Sequence, residues 1–159
     1  MDELLKLLQA NALQSRDDIA RMLGLSVAEV DARIADYETK GVIRGYQAIL
    51  NDEQVDPEKV TAVIEVKITP QREGGFDTLA NRISRFPEVT SAYLMSGTYD
   101  LLLFVDGRTL REVATFVSER LSPLEGVLST STHFMLKTYK RLGVLMHHEA
   151  PDERLSVSP

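Results

Sequence analysis

Residues 15–50 read SRDDIARMLGLSVAEVDARIADYETKGVIRGYQAIL. Ser15 is a good N-cap, and Asp17 and Asp18 follow in the first turn, where the helix dipole favours negative charge. Ile19, Ala20, Met22 and Leu23 supply the buried side of this helix. Gly24 ends it, because glycine takes the left-handed conformation at a helix end at little cost. Two residues later Ser26-Val27-Ala28-Glu29 has the form of a capping box, which starts a second helix. Val30, Ile34 and Tyr37 then form a narrow apolar stripe, and Lys40-Gly41 closes the helix by the same glycine device. Upstream, Leu4, Leu5, Leu7, Leu8 and Ala12 share one face of a supporting helix, with Asp2, Glu3, Lys6 and Gln9 opposite. That helix is expected to end near Asn11 and Ala12. Two short helices joined by a tight glycine turn describe a helix-turn-helix. A three-helix protein-binding bundle has the same pattern. Gly41 to Leu50 then switches to β character, which predicts a wing and a connecting strand.

Downstream, Asn51 to Lys59 is polar, contains Pro57 and lacks apolar periodicity, so it reads as a linker. Val60 to Thr69 alternates, with Val60, Ala62, Ile64, Val66 and Ile68 on one face: a half-buried strand. Pro70 to Gly75 reads as a turn, and Phe76, Leu79, Ala80, Ile83 and Phe86 as a helix stopped by Pro87. Val89–Met95 and Thr98–Val105 are predicted strands joined at Ser96-Gly97. Leu110, Val113, Ala114, Val117 and Leu121 mark a second helix, stopped by Pro123, and Val127 to Tyr139 is a closing β-rich segment. The order is β-α-β-β-α-β, the ferredoxin-like unit. The predicted fold class is therefore α+β: a winged-type helix-turn-helix followed by a ferredoxin-like domain. The expected boundaries are 1–50, a linker at 51–59, a sheet domain at 60–143 and a disordered tail at 144–159.

Composition narrows the function. The chain of 159 residues carries a net charge of −6 and has no cysteine, which excludes disulfides, thiolate zinc sites and cysteine nucleophiles. No apolar run reaches the roughly 18–20 residues of a membrane span. Asp2 and Glu3 open the chain without the basic region of a signal peptide, so a cytoplasmic protein with no membrane partner is expected. Residues 1–50 hold six basic and eight acidic side chains. Composition alone does not nominate DNA, whose phosphates call for clustered Lys and Arg.

The string DDIARMLGLS…RI…YETKGVIRGYQAIL resembles the DNA-binding half of the leucine-responsive and asparagine-responsive (Lrp/AsnC) regulators. The resemblance extends over about residues 3–143. It includes Gly97-Thr98-Tyr99-Asp100, which matches the family's Gly-x-x-Asp element, and the closing STSTHFMLKTYKRLG. It implies a transcription regulator that binds double-stranded DNA and responds to an amino acid or related small molecule. It also implies homodimers, formed through the sheets, that assemble into larger rings such as octamers. The effector is implied to sit between dimers near the Gly97–Asp100 turn.

Each matched residue has a physical rationale. Gly97 lets backbone amides approach a ligand carboxylate, Asp100 can accept from a ligand ammonium, and Tyr99 can wall a pocket. Thr98 lies within the same turn, and Ser129 and Ser131 can add hydroxyls from one face of the last strand. Gly97 and Asp100 equally suit a plain turn with a capped amide. Tyr93, Tyr99, Phe104 and Phe134 are expected in core or subunit interface.

On the DNA side the candidates are Arg16, Ser26, Ala28, Asp31, Ala32, Arg33, Lys40 and Arg44. Arg33 stands where the family has arginine, but it can equally pair with Glu29 one helical turn away. The departure from the family is acidity: Glu29, Asp31, Asp36 and Glu38 face only Arg33 and Lys40. Glu29 is explained by its cap, whereas Asp31 and Asp36 are not, and carboxylates near phosphate weaken binding. An aspartate can nevertheless accept from cytosine N4. An alternative function is thus an effector-binding oligomeric module whose helix-turn-helix no longer binds DNA. A sirohaem-decarboxylase-like enzyme is a third reading, because those enzymes share the architecture. It would need histidines around a tetrapyrrole, and of His133, His147 and His148 only His133 falls in an ordered segment. No nucleophile elbow, phosphate loop or metal-ligand cluster is visible, so no enzyme activity, metal or cofactor is expected.

Overall fold

The computed structural model describes residues 1–69 and 77–146. The chain divides into two compact units, Met1–Ala48 and Ile49–Pro159.

The first unit is helical: α1 (Glu3–Ala10), α2 (Arg16–Leu23) and α3 (Val27–Thr39). Each start is fixed by a side-chain oxygen. Asp2 accepts from the Leu4 amide, Ser15 from that of Asp18, and Ser26 from that of Glu29. Glu29 answers with its carboxylate on the Ser26 amide at 2.8 Å, so the capping box is complete. Gly24 ends α2 at φ +66° and Gly41 follows α3 at φ +69°, where a β-carbon would add strain. Leu4, Leu8, Ile19, Ala20, Val30 and Ile34 form the core, with Leu7, Leu23, Tyr37 and Ile43 against it. Met22 and Ala12 do not join them; both are exposed.

The strand expected over 42–50 does not form. The Val42 and Ile43 amides both donate to the Tyr37 carbonyl, at 2.8 and 3.1 Å, closing the end of α3. Beyond them the segment has no ladder partner in the chain, and Val42, Tyr46, Ile49 and Leu50 are exposed. High β-propensity is not enough for a strand without a neighbour to bond.

The second unit opens with α4 (Asp52–Val55), one short turn inside the stretch read as linker. β1 (Val60–Ile68), α5 (Asp77–Ile83), β2 (Val89–Leu94), β3 (Leu101–Gly107), α6 (Leu110–Thr115) and β4 (Val127–Phe134) follow. The sheet order is β2-β3-β1-β4, antiparallel throughout. Pairing Ile64 with Leu103 and Ala62 with Val105 puts the fully buried set on one face. There α5 and α6 cover it with Leu79, Ile83 and Val113. Burying one such side chain stabilises by about 1.5–3 kcal/mol. The opposite face carries Glu65, Lys67, Leu102, Phe104, Ser129, Ser131 and His133, and no helix packs on it among the described residues.

Four details differ from expectation. β3 begins at Leu101 rather than Thr98, because the Met95 amide bonds the Asp100 carbonyl at 2.8 Å and closes residues 95–100 as a turn. The first helix ends at Ile83, and Phe86 lies in a turn whose amide bonds the Ile83 carbonyl at 3.1 Å. After Thr115 the second helix widens into a π-helical stretch, Phe116–Leu121, seen in the Ser122 amide reaching the Val117 carbonyl at 2.8 Å. Finally, β4 stops at Phe134, and β5 (Lys140–Arg141) with β6 (Val144–Leu145) makes a separate hairpin. Residues 144–146, grouped with the tail in the sequence reading, belong to that hairpin, and Met146 is buried. The Pro70–Gly75 turn, Phe76, His147 and His148 lie outside the described residues.

Candidate nucleic-acid interface and effector site

The acidity of α3 has a local explanation at every carboxylate. Glu29 is spent on its cap: the Ser26 amide and hydroxyl both donate to it, which holds its carboxyl below the usual value. Asp31 Oδ1 takes Arg16 Nε of α2 at 3.1 Å. Asp36 pairs with Lys40 at 2.7 Å, one turn along. Glu38 accepts from the Tyr46 hydroxyl at 3.0 Å; partial burial and that carboxylate push the phenol up.

The same contacts sort the candidate DNA residues. Arg16 and Lys40 are engaged by carboxylates. Arg33 does not pair with Glu29 within ion-pair distance; it is exposed and acts on that carboxylate only through space. Arg44 is exposed too, its side chain lying back against Gly41. Ser26, Ala28, Asp31 and Ala32 are all exposed on α3 and its cap, away from Val30 and Ile34. The side chains at 28 and 32 are small, so α3 presents backbone close to its surface there.

The effector candidates gather at one end of the sheet. Gly97 sits at φ +138° with open space where a β-carbon would be, and it and Thr98 are exposed. Tyr99 and Asp100 are half-buried. Asp100 Oδ2 accepts from the Ile68 amide at 2.8 Å, and the Asp100 amide donates to the Val66 carbonyl at 3.0 Å. This carboxylate therefore ties the turn to the irregular end of β1 and leaves Oδ1 outward. Ser129 pairs with Lys67 at that end, and Ser131 with Glu65 one step deeper on the same open face. Ser131 Oγ and Glu65 both approach His133 at Nε2, at 3.3 and 3.6 Å. Two contacts on one ring nitrogen make no proton relay, so His133 does not activate that serine. Tyr93 and Phe104 meet edge to face at 6.2 Å on the open face, while Phe134 pairs with Ala62 on the other.

One cluster had no sequence signal. Asp52 of α4 takes Arg141 at 2.7 Å and Lys59 at 3.5 Å; Lys59 also reaches Asp106 at 2.9 Å, and Asp106 accepts from Thr61 at 2.7 Å. The Arg141 hydrogen bond, helped by Lys59, holds Asp52 below its usual value. Among the described residues no His/Asp/Glu group is arranged to hold a metal, and no helix is long and apolar enough to cross a membrane.

A helix-turn-helix unit joined to an open-faced ferredoxin-like sheet defines a two-part regulator: one unit for DNA, one for a ligand. Family models agree. A winged helix-turn-helix DNA-binding model matches residues 3–44, and the Lrp/AsnC ligand binding domain matches residues 61–145. The chain belongs to the Lrp/AsnC family of helix-turn-helix transcription regulators. It is 46% identical over 158 residues to the uncharacterized HTH-type transcriptional regulator YugG of Bacillus subtilis, covering 99% of this chain and 95% of that protein. It is 33% identical over 128 residues to the proline dehydrogenase transcriptional activator of Rhodobacter capsulatus, covering 80% and 82%. Among solved structures, a transcriptional regulator from Neisseria meningitidis in complex with L-methionine matches at TM-score 0.70. It is 26% identical, with 89% of this chain and 93% of that one covered.

Proposed function

We propose that this protein is a sequence-specific regulator whose DNA binding responds to an amino acid or a similar small molecule. The observation that carries the reading is the exposed face of α3, where Ala28, Ala32 and Arg33 stand clear of the core while each acidic neighbour is engaged within the chain. Arg33 and Arg44 are the cations free of carboxylate partners, suited to base edges and phosphate. Arg16 and Lys40 join at phosphate when DNA displaces their carboxylates, with Ser26 and Asp31 at the front of the helix.

The effector is assigned to the Gly97–Asp100 turn with Ser129 and Ser131. The L-methionine complex of the Neisseria meningitidis relative supports the ligand class. Sheet-mediated homodimers that assemble further, as octamers, fit the uncovered face bearing Tyr93, Leu102 and Phe104. Several weak heads on one DNA then raise the effective concentration. The relatives being regulators, we assign this chain regulation rather than catalysis, in the cytoplasm.

Fluorescence anisotropy on DNA from upstream of its own gene, at two salt concentrations and with pools of amino acids, tests the reading. Selective binding that weakens with salt and shifts with one amino acid supports it. An intact oligomer that binds no DNA in any pool would favour a ligand-binding module without DNA recognition.

A further inference from the structure

A cleft of about 480 Å³ opens on the helix-covered side of the second unit. Its apolar lining comes from Val105, Val113 and Phe116, and Glu88, Arg111 and Arg120 stand around it. Arg120 rides on the π-helical stretch, a wide turn that in other proteins often marks a working site. Its guanidinium lies 4.6 Å from the Phe86 ring centroid and 5.6 Å from that of Phe116, and it donates to Glu88 Oε1. The two rings brace each other edge to face at 5.5 Å.

Glu88 is thus anchored through one oxygen. The other, Oε2, is buried and has no hydrogen-bond partner. Buried polar atoms are as a rule satisfied, and an orphan calls for a donor from outside the chain. The remaining carboxylates of the cleft are engaged: Asp106 by Thr61 and Lys59, and Glu112 Oε2 by the Arg108 amide at 2.8 Å. Arg111 is exposed at the rim, with no carboxylate within ion-pair distance among the described residues.

We infer that this cleft binds a small molecule that presents an ammonium group to Glu88 Oε2 and an apolar body to Val105, Val113 and Phe116. Arg111 takes the carboxylate of those ligands that have one. The site is separate from the Gly97–Asp100 turn. That turn precedes β3 at Leu101, whereas the cleft lies at Val105–Gly107, more than about 13 Å along the strand.

Calorimetric titration of the full chain with L-leucine, 3-methylbutylamine and 4-methylpentanoate tests this. Leucine and the amine bind, and the acid lacking an ammonium does not. Glu88→Gln keeps an acceptor for Arg120 yet weakens both ammonium ligands about tenfold or more, since a charge-assisted bond is lost. Arg111→Gln weakens leucine only. Thr115→Trp fills the cleft from α6 and blocks both ligands without touching Glu88, which covers the case in which Glu88→Gln fails to fold. Asp100→Asn leaves amine binding unchanged, so loss of the effector response on DNA and loss of this site are read separately. Binding of neither ammonium ligand, or equal binding in Glu88→Gln and Thr115→Trp, overturns the assignment.

Discussion

Arg16 on α2 reaches Asp31 on α3 across the helix-turn-helix, Nε to Oδ1 at 3.1 Å. The pair is solvent-exposed, so its share of stability is about 0.2–1 kcal/mol and its larger effect is on what Arg16 can do. While Asp31 holds it, Arg16 meets phosphate only by exchanging one anion for another. Asp31→Asn removes the competing charge. Affinity for any duplex should rise, and the slope of log K against log salt should steepen by about one. Selectivity between sites should fall if Asp31 reads a cytosine. Anisotropy at four salt concentrations on specific and scrambled duplexes measures both. Arg33→Gln should weaken binding and flatten the slope; an unchanged slope would remove Arg33 from the interface.

The Ser26–Glu29 box makes the start of α3 pH-dependent. Glu29 titrates lower in the folded chain than its ordinary 4.5, chiefly through the Ser26 amide and hydroxyl. A depressed carboxylate contributes stability that is present above the unfolded value and lost as pH falls through the folded one. Thermal melts should therefore show the wild type losing its margin over Glu29→Gln below about pH 4.5, with a constant margin from pH 6 to 7. Ser26→Ala should cost about 1 kcal/mol at neutral pH, the usual loss for an N-cap hydroxyl.

What the sequence disclosed was what local chemistry writes. Ser15, Gly24, the capping box and the alternation of β1 each signal within a few residues, and each element lies where its signal placed it. Contacts across the chain had no such mark. Asp31 meets a partner 15 residues away, Asp100 one 32 away and Asp52 one 89 away. The acidic recognition helix was therefore legible as composition but not as paired charge. The π-helical stretch was hidden for a different reason: Val113, Val117 and Leu121 keep ordinary helical spacing whichever carbonyl each amide selects. Residues 42–50 show the converse, a β-rich string whose fate depends on a strand partner that the string does not contain.

Asp52 should fasten α4 to the terminal hairpin. Its carboxylate joins Arg141 and Lys59, while Asn51 Nδ2 donates to the Met146 carbonyl at 2.9 Å. In Asp52→Asn, hydrogen exchange at the Met146 amide, which bonds the Tyr139 carbonyl at 2.9 Å, should quicken severalfold, with β1 amides unchanged. The wild type should lose the same protection as pH falls below the ordinary Asp value of 3.8, since Asp52 titrates lower when folded. Lys59 and Arg141 are both raised by Asp106 and Asp52. Their contribution persists below pH 10.5 and fades only above it, as the raised lysine deprotonates.

Asp100 separates a structural role from a binding one. Its Oδ2 satisfies the Ile68 amide, so Asp100→Ala leaves that donor without its partner and should destabilise the second unit by about 1 kcal/mol or somewhat more. Asp100→Asn keeps an oxygen in the same place and should recover most of that loss. If the carboxylate also receives an effector ammonium, the two variants part in a second measurement. Asparagine restores the melting temperature but not the shift in DNA affinity caused by the amino acid, because the neutral amide gives up the charge-assisted half of the bond. Recovery of both by asparagine would make Asp100 a turn residue alone. The ammonium would then need another anchor at that end of the sheet, where Ser129 and Ser131 offer hydroxyls but no charge.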